Sequence, residues 1–312
     1  GGLFCKAFDA TSRMFMTFAP PIYLIEPDPT AIGLCLFLAD DIDKWCHDRV
    51  SIFTGRDCLA QFEAYLREHI ERAPPDYCLR LPYGETHVTG EIVKVTQRIA
   101  RYHSEQARAA LIRLRAHYDT IGLNDWAELF SRAADANSIA TNKTRPLRIM
   151  GMTSRFTTVL QYSMRDLKAA VENLGHEFHI LMEPSDHDRS TTADLATRIE
   201  ACKPDLLFLI DHHRRESPHQ IPPNVPFVCW IQDRLPNLMQ IDAGKSIGSM
   251  DFYIASACAE LTESYQYPRS QGMTWTLATN DREYDASPLP ESELAHYRCD
   301  FSYVSNQSRR PE

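Results

Sequence analysis

The sequence predicts an α/β protein: two Rossmann-like units with parallel sheets, joined by a helical linker region. Three observations carry that reading. Short apolar runs such as LLFLI (206–210) and FVCWI (227–231) have strand length and no polar alternation, as expected for strands covered on both faces of a parallel sheet. Amphipathic helical stretches separate the runs. Most runs empty into polar and ionisable residues, and open α/β sheets bind ligands at that edge.

The clearest unit lies within residues 146–183. Residues 147–153 (LRIMGMT) form an apolar run opened by Pro146, where a strand tolerates proline. Leu160, Met164, Leu167, Val171 and Leu174 then repeat at spacings of four and three, which is one apolar helix face. Gly175 stands where a helix C-cap needs positive φ. Residues 177–183 (EFHILME) read as the next strand, completing a right-handed βαβ unit. Further along, 191–202 is a helix ended by Lys203-Pro204, and 206–210 and 227–231 are strands around a proline-rich loop. Residues 251–256 are a fifth strand, 257–267 a helix and 273–278 a sixth strand.

Upstream, 4–18 is helix-like and 21–26 (PIYLIE) a strand. Residues 29–39 form a helix with Asp28 as N-cap and Pro29 at N1. Residues 50–54 are another strand, and 59–72 an amphipathic helix. Residues 73–89 are irregular, with one strand around 77–81. Residues 91–118 give the longest helical pattern, polar enough to bridge domains. Asn124 opens a short helix with Trp126, Leu129 and Phe130 on its apolar side. Residues 137–146 lack periodicity. The expected organisation is a partial Rossmann-like accessory domain over 1–90, a helical bridge over 91–145 and the main Rossmann-like domain over 146–285. A linker and the start of a further domain follow over 286–312. An opening without Met and an end just after a strand-like stretch suggest a piece of a longer protein.

The net charge of -9 argues against a dedicated nucleic-acid binder. No apolar run approaches the roughly 20 residues of a membrane span. Nine cysteines without CxxC spacing point to free thiols in a reducing, cytoplasmic compartment.

Candidate site residues fall in three groups. Gly2, Glu26 and Asp57 have the order of a dinucleotide or S-adenosylmethionine site: a glycine turn, then an acid at a strand end about 20 residues on. A structural or degenerate unit is the competing reading. Ser154, Arg155 and Thr157, at the N-terminus of the helix in the βαβ unit, could cap it or contact a phosphate. Asp211, His212 and His213 follow the third strand of the main domain, and Asp233 and Arg234 follow the fourth. Histidine beside a carboxylate suits a general base, and an arginine suits a leaving diphosphate; a solvated loop is the plainer alternative. No metal site is expected. Adjacent histidines on an extended chain point opposite ways, which sets His212 and His213 against sharing an ion even with His219 near. Asp186-His187-Asp188 reads as chance.

The stretch LRIMGMTSRFTTVLQYSMRDLKAAVENLGHEFHIL resembles the opening of a GT-B glycosyltransferase acceptor domain. VPFVCWIQDRLPNL and CDFSYVSNQSRRPE resemble the CgeB-like (spore-maturation-type) bacterial glycosyltransferases, and residues 21–57 are similar to the N-terminal module of motility-associated flagellin glycosyltransferases. The resemblance implies transfer of a sugar from a nucleotide-diphosphate sugar to a protein or glycan acceptor, without a tightly bound cofactor. It makes 299–306 the first strand and loop of a second Rossmann domain. The donor contacts of that domain lie outside this sequence, so the chain alone should be incompetent for catalysis. The turns after the first, third and fourth strands should open onto one groove facing Cys299. Partners would then be the nucleotide sugar and its acceptor, with no nucleic acid, no membrane span and room for a homo-oligomer. A methyltransferase-like or nucleotide-binding unit and a non-catalytic scaffold remain the other classes.

Overall fold

The computed structural model describes residues 2–11, 18–79, 86–135, 144–157, 159–217, 221–276 and 290–300, with positions 139, 141, 280 and 288. The chain falls into two compact units, Gly1–Thr276 and Leu277–Glu312.

In the first unit, β1 (Ile22–Glu26) and β2 (Val50–Thr54) pair in parallel as a separate two-stranded sheet, with Glu26 opposite Thr54. Alternation along the strands supplies both faces. Ile22, Leu24, Val50 and Ile52 pack with Phe4 and Phe8 of α1 (Gly2–Thr11), Ile32 of α2 (Pro29–Phe37) and Trp45 of α3 (Ile42–Trp45). Tyr23, Ile25 and Phe53 pack instead with Phe62 and Leu66 of α4 (Cys58–Glu68) and Val95 and Ile99 of α5 (Thr86–Tyr118). Arg49 is 1% exposed. Its guanidinium donates to Phe8 O at 2.6 Å, Thr11 Oγ1 at 3.0 Å and Pro20 O at 3.1 Å, clamping the end of α1. Asp28 caps α2 as expected, accepting from Thr30 N at 2.9 Å.

The second sheet has six parallel strands in the order β4-β3-β5-β6-β7-β8. They are β3 (Arg148–Met152), β4 (Glu177–Leu181), β5 (Leu206–Ile210), β6 (Phe227–Ile231), β7 (Asp251–Ala255) and β8 (Gly272–Thr274). It is doubly wound. On one face, Met164 and Val171 of α7 (Val159–Asn173) cover Ile149, Phe178, Phe208 and Ile210. On the other, Leu195 and Ile199 of α8 (Thr192–Cys202) lie over Met150, Leu181, Leu207 and Leu209. Trp126 of α6 (Leu123–Ala133) and Leu261 of α9 (Cys258–Tyr265) extend that layer. Gly151 lets α7 approach closely, since a Cβ there would collide with Met164 Sδ and the Phe178 ring.

Helix α5 serves both sheets, and so the two lie in one unit. Its first half packs on α4, its middle sets Ala107 and Ala110 against Ala193 and Ala196 of α8, and its end puts Leu114 and Tyr118 into the large core. Tyr118 OH donates to Pro204 O at 2.7 Å. The loop after β4 adds Thr191 Oγ1 donating to Ile70 O at 2.7 Å, and Asp188 paired with Arg72 at 3.2 Å.

Some expectations need correction. Residues 77–79 form no strand, and Tyr77 is 88% exposed. Leu174 falls past the end of α7 and is 60% exposed, whereas Gly175 does take φ 86° at the cap. β4 stops at Leu181 because Glu183 turns back towards β3 (below). In the second unit α10 (Glu291–Tyr297) forms where only linker was expected. Of the anticipated segment 299–306, only Cys299 and Asp300 are among the described residues, and His219 lies outside them. No described helix is long and apolar enough to cross a membrane, and all nine cysteines are free thiols.

Candidate functional site

Because all six strands are parallel, the turns after them share one edge of the sheet. From β3 the chain leaves for β4 on one side and returns to β5 on the other. The carboxyl ends of β3 and β5 are therefore the topological switch point, where such sheets open a crevice. Thr153 follows β3 there, and its buried Oγ1 has no hydrogen-bond partner. Gln232, after β6, likewise has an unpartnered buried Nε2. Orphaned polar atoms of this kind are unusual in a settled core.

Asp211 ends β5 at φ 58°, the left-handed region that few non-glycine residues adopt. It is 1% exposed, and its Oδ1 accepts Gln232 N at 2.7 Å and Asp233 N at 3.1 Å. Burial pushes its carboxyl up, against the pull of those two N–H groups. Asp211 thus staples the β5 and β6 turns together, and its fixed position aims the next two residues.

Those two histidines diverge, as the adjacent-residue argument expects. His213 is 5% exposed, and its Nε2 meets Tyr267 OH at 2.7 Å. Tyr267 OH donates to Leu238 O at 3.0 Å, so His213 Nε2 must carry the proton in that pair. Burial, helped by nearby Arg215, pulls the His213 imidazole down to about 4. A ring so enclosed is a neutral core group, which corrects the expectation that His213 acts as base. His212 goes outward. Its side chain is 52% exposed, and Nδ1 lies 2.7 Å from Glu216 Oε2. The other Glu216 oxygen accepts His213 N at 2.8 Å and Asn237 Nδ2 at 2.9 Å. Burial opposes the charge on Glu216, but the bonds from His212, His213 N and Asn237 outweigh it and hold the carboxyl below its usual range. Asn237 also donates to Asp211 O at 3.1 Å, closing the network.

The turn after β3 is occupied from within. Ser154 Oγ donates to Glu183 Oε1 at 3.0 Å and Arg155 N to Glu183 Oε2 at 2.8 Å. Arg155 also donates through Nε to Glu183 O at 3.1 Å and pairs with Asp186 at 3.2 Å. Thr157 Oγ1 turns back to Ser154 O at 2.8 Å. Ser154 and Arg155 are thus engaged by an internal carboxylate, and Thr157 by the backbone of its own turn. Arg234 pairs with Glu260 at 2.8 Å, while Asp233 is exposed at the sheet edge.

On the small sheet, Gly2 is the first residue of α1 with open space around it, so no close approach demands a glycine. Glu26 accepts Asp28 N at 2.9 Å, and Asp57 accepts Gln61 Nε2 at 2.9 Å. Both acids lie near buried Cys58, whose thiol burial pushes up with their charges adding. Thr54 Oγ1 beside them is buried without a partner. Glu26 and Asp57 thus share one edge.

Glu216, Asn237 and Glu183 escaped the sequence reading. The i,i+4 spacing of His212 and Glu216 was an available signal; the Glu183 contact depends on strand register and leaves none. No protein-family model matches the chain, and no curated protein matches it.

Proposed function

We propose that this chain is the acceptor-side half of a GT-B-type glycosyltransferase, with His212 as general base. The single observation behind this reading is the His212–Glu216 pair at the carboxyl edge of the sheet. Glu216 accepting from Nδ1–H leaves the Nε2 lone pair on an exposed ring, the arrangement by which a carboxylate orients a catalytic imidazole. His212 Nε2 takes the proton of the acceptor hydroxyl as that oxygen attacks the anomeric carbon. The bond from sugar to diphosphate breaks, and the nucleoside diphosphate leaves with the electron pair. Since Glu183 already neutralises the β3 turn, the donor diphosphate belongs to the partner domain that the CgeB-like resemblance implies. Asp233 is left to hydrogen-bond the acceptor.

A second reading rests on a different edge. Glu26, Asp57 and the orphaned Thr54 hydroxyl at the ends of β1 and β2 suit a nucleotide or S-adenosylmethionine. A thermal-shift panel separates the two. Uridine- or deoxythymidine-diphosphate sugars should stabilise the intact protein, with S-adenosylmethionine silent; the reverse pattern favours the second reading, and silence throughout favours a scaffold.

A further inference from the structure

Three side chains that the proposed reaction does not use converge where the small sheet meets the loop after β4. His47 and Asp48 lie in the turn leading into β2, and His187 lies in the loop after β4. One oxygen, Asp48 Oδ1, is 2.8 Å from His47 Nδ1 and 3.1 Å from His187 Nε2. The proton positions follow from the remaining partners. His187 Nδ1 faces Ala19 O at 2.9 Å, and a carbonyl only accepts, so Nδ1 carries the hydrogen and Nε2 the lone pair. Arg49 N–H approaches His47 Nδ1 at 3.3 Å, which marks that nitrogen as an acceptor too. One carboxylate oxygen thus faces two imidazole nitrogens, a convergence that a single cation between them would satisfy.

We propose that His47, Asp48 and His187 bind a divalent transition-metal ion of the zinc class, which cross-links the small sheet to the large one. Tetrahedral zinc with bonds of about 2.0–2.1 Å sets neighbouring ligand atoms roughly 3.3 Å apart, near the separations found. All three ligand atoms lie within 4.8 Å of one another. Two imidazoles and a carboxylate select zinc and its neighbours over magnesium or calcium, which prefer oxygen ligands. The bond from His187 Nδ1–H to a backbone carbonyl is the outer support that fixes a ligating imidazole. Ring contacts hold the other side, with His47 5.3 Å from Phe8 and 5.2 Å from His187 by ring centroids. The His187 side chain is 12% exposed and that of Asp48 75%, so the fourth coordination position opens to water.

The test is equilibrium zinc binding by tag-free protein stripped with chelator, using zinc alone, with cobalt as a spectroscopic stand-in. The proposal expects one equivalent of zinc, tetrahedral cobalt absorption, and a melting temperature raised by zinc. His47→Ala and His187→Ala should each weaken binding by about tenfold or more. Asp48→Asn, a change at an exposed side chain that keeps the fold, should do the same, while His179→Ala on the β4 edge should leave binding unchanged. Wild type that retains no zinc overturns the proposal. Binding that survives in Asp48→Asn and His187→Ala overturns it equally.

Discussion

Between His212 and His213 the backbone sends one ring to solvent and Glu216 and the other into the core against Tyr267. Each placement has a measurable consequence. The folded-state pKa of His213 is about 4 against 6.5 unfolded, so between those values the unfolded chain holds the proton and the native one does not. Stability is therefore full above pH 6.5 and falls as pH drops towards 4, by about 3 kcal/mol for this group. Urea midpoints of wild type and His213→Gln should diverge in that window, the variant losing less on acidification; parallel curves would contradict the burial. Glu216→Gln removes the charge that orients His212 and should lower turnover while leaving the melting temperature within a few degrees. The sequence placed these histidines at the right strand end but could not tell them apart, because which ring enters the core depends on the φ of Asp211 and on Tyr267, 54 residues away.

Helix and strand contacts carry the next predictions. Gly151 lies under Met164 and Phe178, so Gly151→Ala must displace a packed side chain and should cost about 1–3 kcal/mol in chemical denaturation. Ala196→Leu, at the small-residue seam between α5 and α8, should cost as much, because Ala107 and Ala110 leave no room for a larger neighbour. The outer strand β4 is guarded. Lys168 Nζ donates to Phe178 O and Arg198 Nη1 to Met182 O, each at 3.0 Å, and a notch of about 550 Å³ lies between the two cations. Charged groups on edge carbonyls deny pairing to a further strand. Lys168→Ala combined with Arg198→Ala should raise self-association, read by light scattering against concentration. Strands such as β5 and β6 were legible to the residue, since a short apolar run bounded by polar residues has few alternatives. The strand expected around Tyr77 was not, because its apolar residues had no partner strand to bury them. Helix α10 escaped notice because ESELAHY carries too little apolar periodicity to register.

Across the first unit, two sheets share one long helix, and the loop after β4 adds Arg72–Asp188, Thr191–Ile70 and the His187 contacts. The bridging role of α5 was readable from its length and polarity, whereas the loop contacts join positions far apart in sequence and needed the fold. That joint keeps the small sheet beside the large one while the carboxyl edge of the large sheet carries the proposed chemistry. The central claim is that His212, oriented by Glu216, takes the proton of the acceptor. Its most direct test is nucleoside-diphosphate release by the intact protein from a panel of nucleotide sugars, wild type against His212→Ala, with donor affinity measured in parallel. Turnover should fall by about 10²–10⁴ in the variant while donor affinity stays within roughly twofold. A His212→Ala protein that turns over at the wild-type rate would contradict the account.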